Sequence, residues 1–149
     1  MSEAISLTLR PGTHRAIDVD GVTPDRLANL PAQAIATLPI RVDGEAAHVG
    51  DVFLVRGSGV AALHFEGDLS CCHGVGAGTR EGAVVVSGHV GHRVGAAMSG
   101  GTVIVHGNAG HDAGLAMSGG TLRVTGGCRL VTEIGRSKNM SGRYTTRAN

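Results

Sequence analysis

The chain has 149 residues, a net charge of +1 and 25 glycines, but only three aromatic residues, namely two phenylalanines and one tyrosine. This charge excludes the basic footprint of a nucleic-acid-binding protein, and the lack of an apolar run of about 18 residues argues against a membrane span. The three cysteines, Cys71, Cys72 and Cys128, include an adjacent pair and do not suggest a disulfide framework. We therefore expect a reducing, cytoplasmic setting.

The N-terminal region, positions 1–62, predicts a small mixed α/β cap. Alternating apolar and polar residues, and short apolar runs between turns, predict four strands, at positions 5–9, 17–19, 40–42 and 52–55. Thr23 followed by Pro24 predicts the N-cap and the first residue of a helix. Such a cap would cover the open strand edge of whatever follows it.

A tandem repeat with a period of about 19 residues follows, from about Leu63 to Gly127. Each copy has a short strand with two apolar positions that lie two residues apart and therefore point to one face. These positions hold Leu63, Val84, Val103 and Leu122, and then Phe65, Val86, Val105 and Val124. A strand of three residues cannot bury its face alone, so the copies must stack in parallel. The repeat predicts an all-β chain, a single-stranded parallel β-helix of glycine-rich coils.

The glycines and methionines that recur at this spacing are interpreted as structural. Glycine suits turns that need a positive φ and corners where stacked backbones leave no room for a side chain. Methionine is flexible enough to fill the gaps between such corners. The residues assigned to this structural repeat are Gly76, Gly82, Gly88, Gly91, Gly95, Met98, Gly100, Gly101, Gly107, Gly110, Gly114, Met117, Gly119, Gly120 and Gly126.

The pattern divides the chain into three regions. We expect the cap over positions 1–62, the β-helix repeats over positions 63–128, and a degenerate repeat or polar tail over positions 129–149. In that last region Met140-Ser141-Gly142 echoes the end of a repeat, but with the wrong spacing from Met117.

No arrangement of residues predicts catalysis or cofactor binding by this chain. Cys71 and Cys72 lie beside His73, but neighbouring residues of an extended chain point apart, so buried and inert thiols are the simpler interpretation. The glycine-rich stretch 74–78 matches neither the dinucleotide fingerprint nor the phosphate-binding loop. We expect no catalytic residue and no cofactor ligand.

Two histidines, His92 and His111, occupy the same position in successive copies of the repeat and would stack one above the other. A metal site needs at least one further ligand, which Cys71, Cys72 or Asp112 could supply. Because no ligand spacing repeats, a surface ladder of histidines is favoured over a metal site.

The sequence resembles the C-type subunit of formylmethanofuran dehydrogenase, which also occurs in the bacterial formyltransferase/hydrolase complex. The resemblance covers about positions 5–127. It rests on positions 7–9, 22–27 and 35–40, on Gly50-Asp51-Val52-Phe53 and Gly67-Asp68-Leu69-Ser70, and on Gly107-Asn108-Ala109-Gly110 and Met117-Ser118-Gly119-Gly120. The repeat is also similar to the glycine-rich (GXGXG) C-terminal domain of the large glutamate synthase subunit.

The resemblance implies a right-handed β-helix that acts as a non-catalytic scaffold subunit in methanofuran- and tetrahydromethanopterin-linked one-carbon metabolism. It implies that other subunits of the complex are the partners, with no nucleic acid or membrane. It places molybdenum, tungsten or zinc centres and methanofuran in those partner subunits. Two alternatives stay open: a glutamate synthase-type module of an amidotransferase, and a small histidine-based metal-binding protein. Members of the family are usually longer than this chain.

Overall fold

A computed structural model describes residues 4–10, 16–27, 30–58, 62–110, 112–116, 118–125, 128–131, 137–140 and 144–147. The strands in these ranges are β1 (Ala4–Leu9), β2 (Ile17–Asp18), β3 (Pro39–Val42), β4 (Glu45–His48), β5 (Phe53–Ser58), β6 (Ala62–Glu66), β7 (Cys72–His73), β8 (Ala83–Val86), β9 (Ser99–Val105), β10 (Gly119–Val124), β11 (Cys128–Val131), β12 (Ser137–Met140) and β13 (Tyr144–Arg147). The helices are α1 (Pro24–Leu27), α2 (Ala32–Ala36) and α3 (Val49–Val52).

Seven strands form the larger sheet, in the order β13-β10-β9-β8-β6-β1-β5. The pairs β1–β6, β6–β8, β8–β9 and β9–β10 are parallel. The two outermost strands, β5 and β13, are antiparallel to their neighbours. The sheet is therefore mixed, with a parallel centre and an antiparallel strand at each edge.

A smaller sheet has four strands in the order β4-β3-β2-β7. Strand β3 is antiparallel to both β2 and β4, whereas β2 runs parallel to β7. The N-terminal part of the chain thus supplies three strands of this sheet, and the short strand β7 from the repeat supplies the fourth. Strands β11 and β12 form a separate antiparallel pair.

The expectation of an all-β, single-stranded, right-handed parallel β-helix is wrong. The described residues form mixed sheets of seven and four strands together with three short helices, and they contain no solenoid. The physical reason lies in the N-terminal region, which we expected to cap a stack of coils. Instead, its strands hydrogen-bond into both sheets, and β1 lies between β5 and β6. The division into three regions stays a prediction.

The apolar positions of the repeat do face the interior, as predicted. Leu63, Val84, Val103 and Leu122 pair across β6, β8, β9 and β10, and all are fully buried. Phe65 and the valines at the second position are equally buried. Phe65 also packs edge to face against Phe53, with ring centroids 5.7 Å apart. β-Branched side chains pack well on the pleated surface of a sheet, and valine fills five of these eight buried positions.

The N-terminal predictions are largely confirmed at the level of single elements. Strands β1, β2, β3 and β5 overlap the four predicted strands, and α1 begins at Pro24. The Thr23 carbonyl accepts the first hydrogen bonds of α1, but its buried hydroxyl has no partner among the described residues. No helix in the described part of the chain has the length and hydropathy needed to cross a membrane.

Candidate functional site

The glycines of the repeat occupy places where one strand passes close to the backbone of the preceding copy. A Cβ added at Gly88, Gly100 or Gly119 would collide with a carbonyl oxygen of residue 67, 80 or 99, respectively. A side chain at these positions would therefore push the parallel strands apart. Six further glycines of the set have a positive φ, namely Gly76, Gly82, Gly95, Gly101, Gly114 and Gly120.

The other glycines and methionines assigned to the structural repeat either pack against neighbouring side chains or lie outside the described residues. A Cβ at Gly91, Gly107 or Gly110 would meet a histidine ring of the preceding copy. Met98 is fully buried, and its sulfur would lie 3.1 Å from a Cβ at Gly95. Three of the named residues, Met117, Gly126 and the candidate ligand His111, lie outside the described residues.

The larger sheet has an outer face, which consists of the residues between the buried positions of its parallel strands. On this face His64, Val85, Ile104 and Arg123 lie side by side in one row of paired residues. Val85 and Ile104 are half-buried at its centre, and Arg123 is exposed at its end. We use "outer face" for Ala62, His64, Ala83, Val85, Thr102, Ile104, Thr121 and Arg123.

A second feature, the histidine corner, lies where β7 meets the next copy of the repeat. The rings of His73 and His92 are stacked, with centroids 4.9 Å apart and planes within 6° of parallel. The Nδ1 atom of His73 accepts a hydrogen bond of 2.9 Å from the backbone N–H of His92. Neutral His73 therefore carries its proton on Nε2. A single imidazole thus joins two successive copies through both its face and its edge.

Charged residues from the N-terminal segment complete the histidine corner. Asp18 pairs with His73 in the parallel ladder of β2 and β7. The Arg93 guanidinium lies 2.8 Å from an Asp18 carboxylate oxygen and 3.6 Å from one of Asp20. We define the histidine corner as His73, His92, Arg93, Asp18 and Asp20. Its ion pairs fasten the N-terminal segment to the repeat.

The surroundings of His73 favour its neutral form. Partial burial lowers the pKa of His73, and the neighbouring His92 and Arg93 lower it further. The carboxylates of Asp18 and Asp20 act in the opposite direction but do not reverse the result. The lowered pKa agrees with the geometry, because Nδ1 can accept the His92 N–H only while it is unprotonated.

A second histidine, His89, makes the same kind of contact with the backbone of the next copy of the repeat. The Nδ1 atom of His89 accepts a hydrogen bond of 2.8 Å from the backbone N–H of Asn108. Gly107 leaves room for this ring, since a Cβ there would lie 2.7 Å from His89 Nδ1. Histidine nitrogens thus receive backbone N–H groups of the next copy at two places in the described chain.

The thiols are arranged for packing rather than for reaction. Cys72 is fully buried, and Cys71 is half-buried. Burial is the main cause that raises the pKa of the Cys72 thiol, and the adjacent Cys71 adds to it. A thiol with a raised pKa is a poor nucleophile, because the thiolate is the reactive form.

The described residues contain no group of three or more histidine, cysteine, aspartate or glutamate side chains that could hold a metal ion. We assign no metal to His92, whose ring stacks on His73. Two open cavities lie beside the histidine corner. One of about 360 Å³ is lined by Asp18 and Arg41, and one of about 330 Å³ is lined by Arg26 and Arg93.

The pairing of His73 with His92 is not among the predictions from the sequence, which pair His92 with His111. The spacing could have revealed it, because His73 precedes His92 by 19 positions, which is the period of the repeat. The partners of Arg93 had no such signal, since Asp18 lies 75 residues away. The same period of 19 residues separates His89 from Asn108.

No protein-family model matches the sequence, and the curated proteins give no match either. Among solved structures, the fold is similar to a chain in the crystal structure of the formyltransferase/hydrolase complex from Methylorubrum extorquens in complex with methylofuran. The TM-score is 0.60 and the sequence identity is 25%. The similarity covers 83% of this chain but only 56% of that chain. It links this fold to that complex, whereas the particular subunit and the GXGXG repeat stay predictions.

Proposed function

We propose that this chain is a non-catalytic scaffold subunit of a complex of the formyltransferase/hydrolase or formylmethanofuran dehydrogenase type, in one-carbon metabolism. The observation that carries the proposal is the similarity of its fold to a chain of the M. extorquens complex over 83% of its length. This similarity favours the proposal over the glutamate synthase-type and metal-binding alternatives.

The surface that we assign to partner binding is the outer face. Parallel strands are usually covered on both sides, and here the buried side is the core while the other side carries Val85 and Ile104. The centre of the face is aliphatic and uncharged, and its charged residue, Arg123, lies at one end. Protein–protein interfaces have this distribution, with few charges in the centre and polar groups at the rim.

Within the proposed complex, the chemistry belongs to the partner subunits. Metal centres and methanofuran would be bound there, and this chain would hold the partners in position. The residues of the outer face would supply contacts to the partners and would take no part in formyl transfer.

The proposal is tested by mild affinity purification of the tagged full chain from its own cells, with identification of the co-purifying proteins. We expect a formyltransferase subunit and an amidohydrolase-like subunit. Recovery of the chain alone, as a monodisperse species, would contradict the proposal.

A matched pair of variants tests the assignment of the surface. Ile104→Lys adds a charge at the centre of the outer face, whereas Gln33→Lys adds the same charge at an exposed position of α2. We expect Ile104→Lys to reduce recovery of the partners by roughly tenfold or more, and Gln33→Lys to leave it unchanged. Equal recovery of the partners with both variants would be consistent with the proposed complex but would refute the outer face as its contact surface.

A further inference from the structure

The contacts of His73 depend on a single proton. Its Nδ1 atom accepts the N–H of His92 at 2.9 Å, and its ring lies flat against the ring of His92. A proton on Nδ1 would turn the acceptor into a donor that faces another donor. The protonated ring would also carry a positive charge beside a second imidazole.

The charges that face His73 come from two sides. His92 and Arg93 come from the next copy of the repeat, and both disfavour a positive charge on His73. Asp18 and Asp20 come from β2 and the turn after it, and both favour that charge. The carboxylates are already engaged by Arg93, at 2.8 Å and 3.6 Å, which weakens their pull on His73.

The backbone around the ring leaves little room for rearrangement. A Cβ at Gly91 would lie 2.5 Å from His73 Nδ1 and 2.6 Å from the Cys72 carbonyl oxygen. The His73 ring therefore fills the space beside Gly91, and it cannot shift toward that residue when its hydrogen bond is lost. We therefore expect the bond to open with a displacement between the two copies of the repeat.

We propose that the histidine corner is a pH-sensitive latch: protonation of His73 breaks its bond to the His92 N–H and loosens the contact between these two copies of the repeat. The latch is closed at neutral pH and opens as the pH falls. It does not depend on the proposed scaffold function, because every group in it belongs to this chain.

The direction of the pH dependence follows from the lowered pKa of His73. The unfolded chain binds the proton more tightly than the folded chain, so acid favours unfolding. Stability is fully present above the ordinary value of 6.5 and is lost as the pH falls below that value toward the lowered pKa of the folded chain. Each unit by which the pKa is lowered corresponds to about a tenfold change in the unfolding equilibrium constant.

Urea unfolding of the full chain between about pH 7.5 and about pH 5 tests the latch. His73→Asn keeps an acceptor oxygen near the position of Nδ1 but cannot be protonated in this range. We expect the unfolding equilibrium constant of the wild type to rise several-fold more than that of His73→Asn as the pH falls.

Equal slopes for the wild type and His73→Asn would overturn the proposal. If His73→Asn does not fold, the latch can still be tested by a measurement on the wild type alone. Nuclear magnetic resonance of the imidazole nitrogens should show a proton on Nε2 of His73 at neutral pH and a titration midpoint below 6.5. The protection of the His92 amide from hydrogen exchange should fall through the same midpoint. A proton on Nδ1 at neutral pH, or an amide whose protection does not change, would refute the latch.

Discussion

Two equivalent corners of the repeat meet the same backbone requirement with different residues. In the first corner the three left-handed positions are all glycine, with φ of +76° at Gly74, +73° at Gly76 and +80° at Gly78. In the corresponding corner of the next copy, φ is +62° at Arg93 and +57° at Ala97, and only the middle position is glycine. A side chain in this conformation costs roughly 1–2 kcal/mol. The second corner therefore carries strain that the first avoids.

The difference between Gly74 and Arg93 is explained by the N-terminal segment, which lies against both residues. The Asp20 carboxylate lies against Gly74, and a Cβ at that position would collide with it. The same carboxylate lies 3.6 Å from the Arg93 guanidinium, which Asp18 also binds. Glycine is thus needed at the first corner to admit Asp20, and arginine at the second to bind it. A position in a repeat can be set by the segment that packs on it as well as by the repeat.

The largest loss of stability is expected from a substitution at the place where the two corners touch. Gly91→Ala would place a Cβ 2.6 Å from the Cys72 carbonyl oxygen and against the His73 ring. Because backbone must move to admit it, we expect the free energy of unfolding to fall by about 3 kcal/mol in urea titrations. A loss below about 1 kcal/mol would mean that the corners are not in contact as described.

A smaller effect is expected from alanine at the glycines of the first corner. Gly74→Ala should cost about 2 kcal/mol, because it adds left-handed strain and displaces Asp20. Gly78→Ala is the control, with a similar φ but open space around its Cβ, and should cost only about 1 kcal/mol. Equal losses in thermal or urea unfolding would show that Asp20 does not require glycine at position 74.

The smallest loss of stability is expected from substitutions of Arg93. Two variants at this position separate the contribution of its ion pairs from that of its backbone strain. Arg93→Ala loses the ion pairs and keeps the strain, so we expect a loss of about 1 kcal/mol at low salt. Arg93→Gly also loses the pairs but relieves the strain, so its stability should stay close to that of the wild type. If Arg93→Gly is the less stable variant, backbone strain is not what distinguishes the second corner. The deficit of Arg93→Ala should shrink in high salt.

The sequence predicted what is local and repeated. The buried positions of β6, β8, β9 and β10, and the start of α1 at Pro24, follow from the periodicity and the turn residues. The prediction of a β-helix was wrong. Periodicity shows which residues face inward, but it does not show which strand lies beside the first copy of the repeat. Nothing in the alternation of Ile5, Leu7 and Leu9 indicates that β1 separates β5 from β6.

The candidate sites show the same limit. Val85 and Ile104 were predictable as residues of an outward-pointing row, since each lies between two buried positions. The stack of His73 on His92 has the same spacing of 19 residues that predicts the pairing of His92 with His111, and the pairing with His111 stays a prediction. The pairing of Arg93 with Asp18 and Asp20 required the fold, because ion pairs between distant segments leave no mark in the local pattern.

The place of β1 in the larger sheet has a consequence for the order of folding. Ala4 pairs on one side with Ser58 and on the other with Ala62. During synthesis the first strand therefore waits until both of these distant positions have been made, and the loops that must close are long. Such nonlocal pairing is slow, because the chain loses entropy before the contacts repay it. Chains in which β1 is delayed or blocked should collect as intermediates in which β5 is detached, exposing the β6 edge to pairing between molecules.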